Sequence, residues 1–512
     1  MTNNNSYDKF LAVNKKRLKD LDTNIECSVS LDSDESVSKI LAVNAEANCT
    51  QVEALTGEAS VNGNVLISLV YVTEQGLIGN SAYTAPFSTK IADECITPMS
   101  KVVFKVCVAD AKVQSLSNNT AKVDCYVKLN AFCFNNDEIN YLSGASSDVC
   151  TKQEETSFET LSGMTNSSWI ENLEVALKEP ARKVLSCSTD VYVKDTTCAE
   201  SFVSISCEVV NKIMYVTDEE TPKIKSVYTK SDVKQEVECQ FSTKDSKCEV
   251  NLNVNKTDVK NVINEKENEI KVSLEIPLDV CIRIFETKTV NLITDLYSVQ
   301  NYTETTSSSY ENTVVCEPIT FEKKIEGSLT LTDEEPRIDK LLAVNYSRAV
   351  VTNEYLENGD YSLSGVISSN LIYFNEDDNN VNSVDVEIPF VVSSKTEYEG
   401  DMLTDLSVIV EDVDVMVKKG KDVYVDATLK VRSNVCKKVQ GAVISELSFT
   451  EQVPQKDCAI EIYFAKVGEK IWDIAKKLFV KPEEIYSQNP MVGEVLEKDE
   501  KLAIYYQKND LN

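Results

Sequence analysis

The chain contains no histidine. This absence excludes Ser-His-Asp and Cys-His catalysis, HExxH metalloproteases and zinc sites with histidine ligands. The sequence also lacks a Walker A motif and a GxGxxG motif, so it offers no phosphate-binding loop and no dinucleotide site. Pairs of carboxylates could still carry out acid–base chemistry, but close pairs arise by chance among 83 acidic residues. We therefore predict no enzyme activity and no catalytic residue.

Glycine and proline are scarce, with 14 and 11 residues in a chain of 512. Many valine, isoleucine, threonine and tyrosine residues indicate folded β structure rather than disorder. No apolar run approaches the roughly 20 residues that a membrane-spanning helix needs, and the N-terminus is polar. We therefore expect a protein without a signal peptide or membrane insertion that stays in the cytoplasm of the cell that makes it.

Acidic residues outnumber basic ones, 83 to 52. The formal net charge is −31, so a nucleic acid or an anionic membrane would be repelled, and we predict no nucleic-acid partner. A protein surface with a basic patch is the better electrostatic match.

The 16 cysteines show no Cys-x-x-Cys spacing and are scattered through strand-like segments. This pattern favours reduced thiols that pack as small apolar side chains. Disulfides and a metal cluster are the alternatives. We predict neither a metal site nor a cofactor.

One short sequence motif, here called the repeated phrase, occurs three times. The motif Leu-Ala-Val-Asn ends both Lys39–Asn44 and Lys340–Asn345. A more divergent copy of the repeated phrase lies at Lys183–Ser186. The shared leucines are 144 and 157 residues apart, which indicates a triplicated domain rather than a short-period solenoid.

Within each copy, short segments alternate apolar with polar residues and are separated by turns. This period of two predicts a mainly β protein built from three repeated antiparallel β-sandwich-like domains. The predicted parts are a mobile or helical arm at 1–24 and β domains at 25–150, 170–300 and 325–450. Linkers are predicted near 151–166, 303–314 and 453–457, where the composition becomes polar.

The last fifty residues follow a different pattern. Ala459–Ala465 resembles a strand, Gly468 interrupts it, and Ile471–Phe479 places apolar residues at helical spacing. Pro482 opens a second short helix and Leu502–Ile504 offers a closing strand. Residues 459–507 are therefore predicted to form a small βααβ domain.

This segment resembles a LysM module, with Glu469 and Lys470 where the family has Asp and Thr or Ser. The matching residues are Tyr463, Gly468, Ile471, Ile474, Ala475, Asn489, Pro490, Leu496 and Leu502. In glycan-binding LysM modules the groove lies between the first turn and the loop before the last strand. The resemblance therefore implies the following partner- or glycan-binding residues: Gly468, Glu469, Lys470, Ile471, Trp472, Asn489, Pro490, Met491 and Val492.

Three β units followed by a LysM module resemble the SPOCS-domain proteins of spore-forming Clostridia and their relatives. Ile293–Ser298, which closes the second unit, is the best local match to the SPOCS pattern. The resemblance implies a mother-cell protein at the forespore or spore coat surface. It also implies a scaffold that binds a coat-morphogenetic ATPase or other coat proteins through LysM, with self-association through the β units.

The alternative is a protein that binds the N-acetylglucosamine-containing glycan of peptidoglycan through the same groove. A cationic Lys470 at the groove favours an acidic protein surface over a neutral glycan.

Overall fold

The computed structural model describes residues 5–219, 223–264, 270–376, 380–454 and 458–506. Within these ranges the chain forms 23 β-strands and two short α-helices. All paired strands are antiparallel and make up several separate sheets. The predicted mainly β fold is thus confirmed. Within the same ranges, neither helix has the length and apolar character needed to cross a membrane.

The strands fall into three groups of seven that follow one another along the chain. The first strand group is β1 (Ser6–Arg17), β2 (Leu21–Ser30), β3 (Val37–Leu55), β4 (Glu58–Thr73), β5 (Ile78–Ala92), β6 (Lys101–Ser117) and β7 (Thr120–Gly144). The second strand group is β8 (Val149–Ala176), β9 (Ala181–Ala199), β10 (Phe202–Thr217), β11 (Ile224–Glu238), β12 (Lys247–Val254), β13 (Asp258–Asn264) and β14 (Ile270–Ser298). The third strand group is β15 (Asn301–Val315), β16 (Ile319–Thr330), β17 (Ile338–Glu357), β18 (Asp360–Asn375), β19 (Val381–Lys395), β20 (Met402–Lys418) and β21 (Asp422–Gln452).

Each strand group contains a three-stranded meander, β3-β4-β5, β9-β10-β11 or β17-β18-β19. It also contains a four-stranded sheet whose longest member is its last strand, β7, β14 or β21. In the first strand group, Val65 and Ile67 of the meander share one fully buried core with Val123 and Val127 of β7. The alternation of apolar and polar residues places one face of each sheet in such a core.

The repeated phrase of the sequence lies where the three meanders meet. Leu41, Leu185 and Ala343, one from each copy, are buried in a single apolar cluster with Met214 and Ile372. Burial of all three copies in one cluster explains why the same apolar residues recur in each.

Three segments predicted as an arm or as linkers are instead strands. Residues 6–17 of the predicted arm pair with β7, and the predicted linkers at 151–166 and 303–314 lie inside β8 and β15. Their outer faces are rich in polar side chains, which made them resemble loops. Their inner faces are buried, because Phe10 of β1 stacks on Phe158 of β8 at 3.9 Å between ring centroids. Residues 1–4, 455–457 and 507, which belong to the predicted arm, third linker and last domain, lie outside the described residues.

A buried cluster of charges ties β1 to the second strand group. The Lys15 ammonium contacts Glu249 Oε1 at 2.7 Å, and Arg283 Nε contacts Glu249 Oε2 at 3.1 Å. The three side chains are only 1%, 2% and 1% exposed. Burial alone would raise the pKa of Glu249, but the two cations outweigh it and lower that pKa to about 2.

The remaining chain forms the C-terminal module, residues 458–506. Its elements are β22 (Ile460–Ala465), α1 (Ile471–Leu478), α2 (Pro482–Gln488) and β23 (Glu500–Tyr505), and β22 pairs antiparallel with β23. One apolar face of each helix packs under the two strands, with Ile474, Ile485 and Ile504 almost fully buried.

Candidate functional site

The first turn of the C-terminal module is held by its own side chains. Gly468 has a φ of +87°, a left-handed conformation that suits a residue without Cβ, and its N–H donates to the Leu496 carbonyl at 2.8 Å. The Glu469 carboxylate accepts hydrogen bonds from the Lys466 N–H at 2.6 Å and the Tyr463 hydroxyl at 3.0 Å. Glu469 therefore stabilises the turn and its carboxylate is already engaged.

The next two residues have opposite environments. Lys470 is exposed, and its side chain makes no capping hydrogen bond to α1. Ile471 is 0% exposed and belongs to the core of the C-terminal module. Backbone contacts join this segment to the loop before β23, since Lys470 bridges to Val495 and the Ile471 N–H donates to the Glu494 carbonyl. The two sides of the predicted groove are thus fastened together, and Lys470 is the side chain that faces solvent.

Trp472 contacts the second strand group. Its indole Nε1 donates a hydrogen bond to Asp295 Oδ2 at 2.7 Å, and its ring lies 5.2 Å from the Tyr297 ring in a T-shaped arrangement. The Lys476 ammonium forms an ion pair with the same Asp295 carboxylate. Burial opposes ionisation of Asp295, but hydrogen bonds from Lys476 and Trp472 hold its pKa below the usual value.

Tyr297 fastens the other end of the same contact. Its hydroxyl donates to the Val480 carbonyl at 2.6 Å, and its side chain is only 3% exposed within the core of the C-terminal module. Beyond it, Tyr302 of β15 meets Phe479 edge to face at 5.3 Å. The C-terminal module is therefore seated on the ends of β14 and β15.

Asn489 joins α2 to β23. Its side-chain amide donates to the carbonyls of Ile485 and Ala503, each at 3.0 Å, and accepts a hydrogen bond from the Ala503 N–H at 2.9 Å. These three bonds explain why an asparagine at this position suits the fold.

The residues after Asn489 form the exposed side of the predicted groove. Pro490 is exposed, Met491 is 92% exposed, and Val492 is partly buried against the core of the C-terminal module. We call five solvent-facing residues of this region the groove rim: Val467, Lys470, Pro490, Met491 and Val495; Lys466, Gly493 and Glu494 beside them are exposed as well.

The groove rim can bind a surface but offers little for chemical catalysis. It combines apolar side chains with one cation and is flanked by the exposed Glu494, which suits a partner that presents apolar groups beside charges of both signs. Within the described ranges, no group of three or more Cys, Asp or Glu residues is arranged to hold a metal ion.

The contact made by Asp295 and Tyr297 was not predicted from the sequence. Ile293–Ser298 stood out as a local motif, but a motif does not reveal what it touches. The signal in the sequence was a tyrosine two residues after an aspartate near the end of a strand-like segment. Only the tertiary structure places Trp472 against these two residues.

Comparison with known families gives one match. Residues 36–116 match the family described as SipL, SPOCS domain, and this segment runs from just before β3 into β6. No curated protein and no solved structure matches the chain. Fold and match together define a mainly β protein that carries a domain similar to the SPOCS family. The SPOCS domain suggests a role related to sporulation.

Proposed function

We propose that this protein is a non-enzymatic scaffold or adaptor in the assembly of the spore coat or envelope. The observation that carries the proposal is the match of residues 36–116 to the SPOCS domain. The three strand groups are three copies of that unit, a reading supported by their shared meanders and by the repeated phrase buried where they meet. The protein acts in the mother cell, at the forespore or coat surface.

The C-terminal module is a LysM domain through which this scaffold binds its partner. Its β-α-α-β order and the structural roles of Gly468 and Asn489 support that assignment. Its partner is a coat-morphogenetic ATPase or another coat protein, bound at the groove rim. Self-association uses the exposed edges of the β sheets, where backbone N–H and C=O groups can pair with another chain.

The groove rim favours a protein partner over a glycan. Sugar recognition depends on well-placed hydrogen-bonding groups, yet the Glu469 carboxylate and the Asn489 amide are both engaged within the C-terminal module. The exposed members of the rim are apolar apart from Lys470.

Charge reversal at the rim tests the docking proposal. With the full chain and the purified ATPase, Lys470→Glu should weaken binding by roughly 1 kcal/mol, about fivefold, mostly through slower association. The matched control is Lys498→Glu, which reverses another exposed charge of the same module, one that pairs with Glu500. Binding that is equal in the two variants and in the parent would contradict a role for the rim.

Insoluble peptidoglycan tests the glycan alternative. The full chain should stay in the supernatant when the polymer is sedimented. Retention that is lost in Met491→Asp but kept in Lys498→Glu would instead favour a glycan ligand at the groove rim.

A further inference from the structure

Two thiols of the second strand group face each other from opposite sheets. Cys198 lies near the end of β9, directly across from Val203, and Cys248 lies in β12, directly across from Ile284. Opposed residues of an antiparallel pair point to the same face of their sheet. Because Val203 and Ile284 are both 0% exposed in one apolar core, both thiols point into the space between the two sheets.

Both thiols pack against the same apolar core, and both are only partly buried. We infer that Cys198 and Cys248 form a peroxide-sensitive dithiol that closes to a disulfide between the two sheets of the second strand group.

The electrostatics of the pair assign the roles. The neighbouring Cys248 lowers the pKa of Cys198, although burial opposes this, so Cys198 is the thiol of the pair that ionises first. The neighbouring Cys198 and burial raise the pKa of Cys248. Cys198 is therefore the nucleophile and Cys248 the resolving thiol.

The chemistry balances with a peroxide as the oxidant. The Cys198 thiolate attacks one peroxide oxygen, the O–O bond breaks, and Cys198 becomes a sulfenic acid while the other oxygen leaves as water after protonation. The Cys248 sulfur then attacks the sulfenyl sulfur, the S–O bond breaks, and a second water leaves as the S–S bond forms. The two sulfurs supply the two electrons that reduce the peroxide.

A second thiol pair in the same chain provides an internal comparison. The Cys133 thiol lies 4.0 Å from the Cys95 carbonyl oxygen, and burial together with the nearby Asp93 raises the pKa of Cys95 to about 12. The pKa of Cys133 is raised by burial as well. This pair therefore holds almost no thiolate at neutral pH, and its proximity alone should not make it reactive.

The test treats the reduced full chain with hydrogen peroxide at neutral pH, blocks the remaining thiols at timed points and maps disulfides by mass spectrometry. The Cys198–Cys248 peptide should accumulate at least about tenfold faster than the Cys95–Cys133 peptide, because a larger thiolate fraction outweighs the lower nucleophilicity of the more acidic thiol. In Cys248→Ser, a sulfenic acid on Cys198 should be trapped by dimedone. In Cys198→Ser, Cys248 should stay unlabelled.

Three results would overturn the inference. One is equal rates for the two pairs, another is a disulfide from Cys198 to Cys239 in place of Cys248, and the third is reaction of other cysteines with no Cys198–Cys248 peptide. Circular dichroism of both serine variants, compared with the parent chain, shows whether a lost peptide reflects lost chemistry or a lost fold. This inference does not depend on the docking proposal, because the reaction is assayed without a partner.

Discussion

Replacement of Lys15 by methionine should destabilise the second strand group far more than any exposed ion pair could. Methionine keeps most of the side-chain volume but removes the charge, leaving the Glu249 carboxylate with Arg283 as its one buried cation. Loss of one partner from a buried pair typically costs about 3 to 5 kcal/mol, because the remaining charge stays desolvated.

The pKa of Glu249 gives a second magnitude, for the effect of Lys15 and Arg283 together with burial. A fall from the ordinary value of 4.5 to about 2 corresponds to about 3 kcal/mol of favourable interaction with the ionised carboxylate. Because the folded-state pKa is depressed, this stability is present above the unfolded value and is lost as the pH falls from about 4.5 towards 2. The parent chain should lose more stability over that window than Lys15→Met does.

Lys9→Met is the matched control on the same strand. Lys9 also contacts a carboxylate, that of Glu138, at 2.7 Å, but the two side chains are 61% and 49% exposed. Its replacement should cost at most about 0.5 kcal/mol, since water screens the pair.

Urea unfolding followed by tryptophan fluorescence measures the difference. Trp169 lies in β8 and packs against the cores of the second strand group, so in a Trp472→Phe background, which removes the second tryptophan, its emission reports on the region that holds Glu249. Equal unfolding midpoints for Lys15→Met and Lys9→Met would refute the reasoning that burial, rather than distance, sets the strength of these pairs.

Two further predictions concern other charged contacts. Asp295→Ala should loosen the C-terminal module from β14, since the carboxylate bonds both Trp472 and Lys476, while the contacts of Tyr297 and Tyr302 remain. Limited proteolysis near residue 458 should become faster, and an unchanged rate would contradict a role of Asp295 in seating the module. Glu46→Gln should flatten part of the stability profile between about pH 4.5 and 7. Burial, with Asp190 nearby, raises the pKa of Glu46 in the folded chain to about 7. The stability that the protonated Glu46 contributes is therefore present below its unfolded-state pKa and is lost as the pH rises through its folded-state pKa. A pH profile of urea unfolding that is the same in Glu46→Gln and the parent chain would count against this.

The fold class was predictable because its signal is local. Alternation of apolar and polar residues decides which face of a strand is buried, and the repeated phrase marked equivalent positions such as Leu41 and Leu185. The same dependence on local composition led to the wrong prediction that parts of β8 and β15 are linkers. Their serine, threonine and glutamate residues resemble linker composition, and only partner strands more than a hundred residues away complete their hydrogen bonds and bury residues such as Phe158.

The candidate site was only partly predictable for the same reason. The turn at Gly468 and the helix at Ile471–Leu478 follow from residue type and spacing. The LysM resemblance named both Lys470 and Ile471 as binding residues. Only the structure shows that Lys470 is exposed and Ile471 is buried, because exposure depends on what packs against each side chain.

Composition and period fixed a histidine-free, acidic, mainly β chain with a distinct helical segment near its end, because each of these properties is carried by neighbouring residues. The tertiary structure alone decided that Lys15 meets Glu249, that Cys198 meets Cys248 and that Trp472 lies on Tyr297. Those partners are 50 to more than 200 residues apart, and their contacts exist only because folded sheets bring distant strands together and exclude water between them.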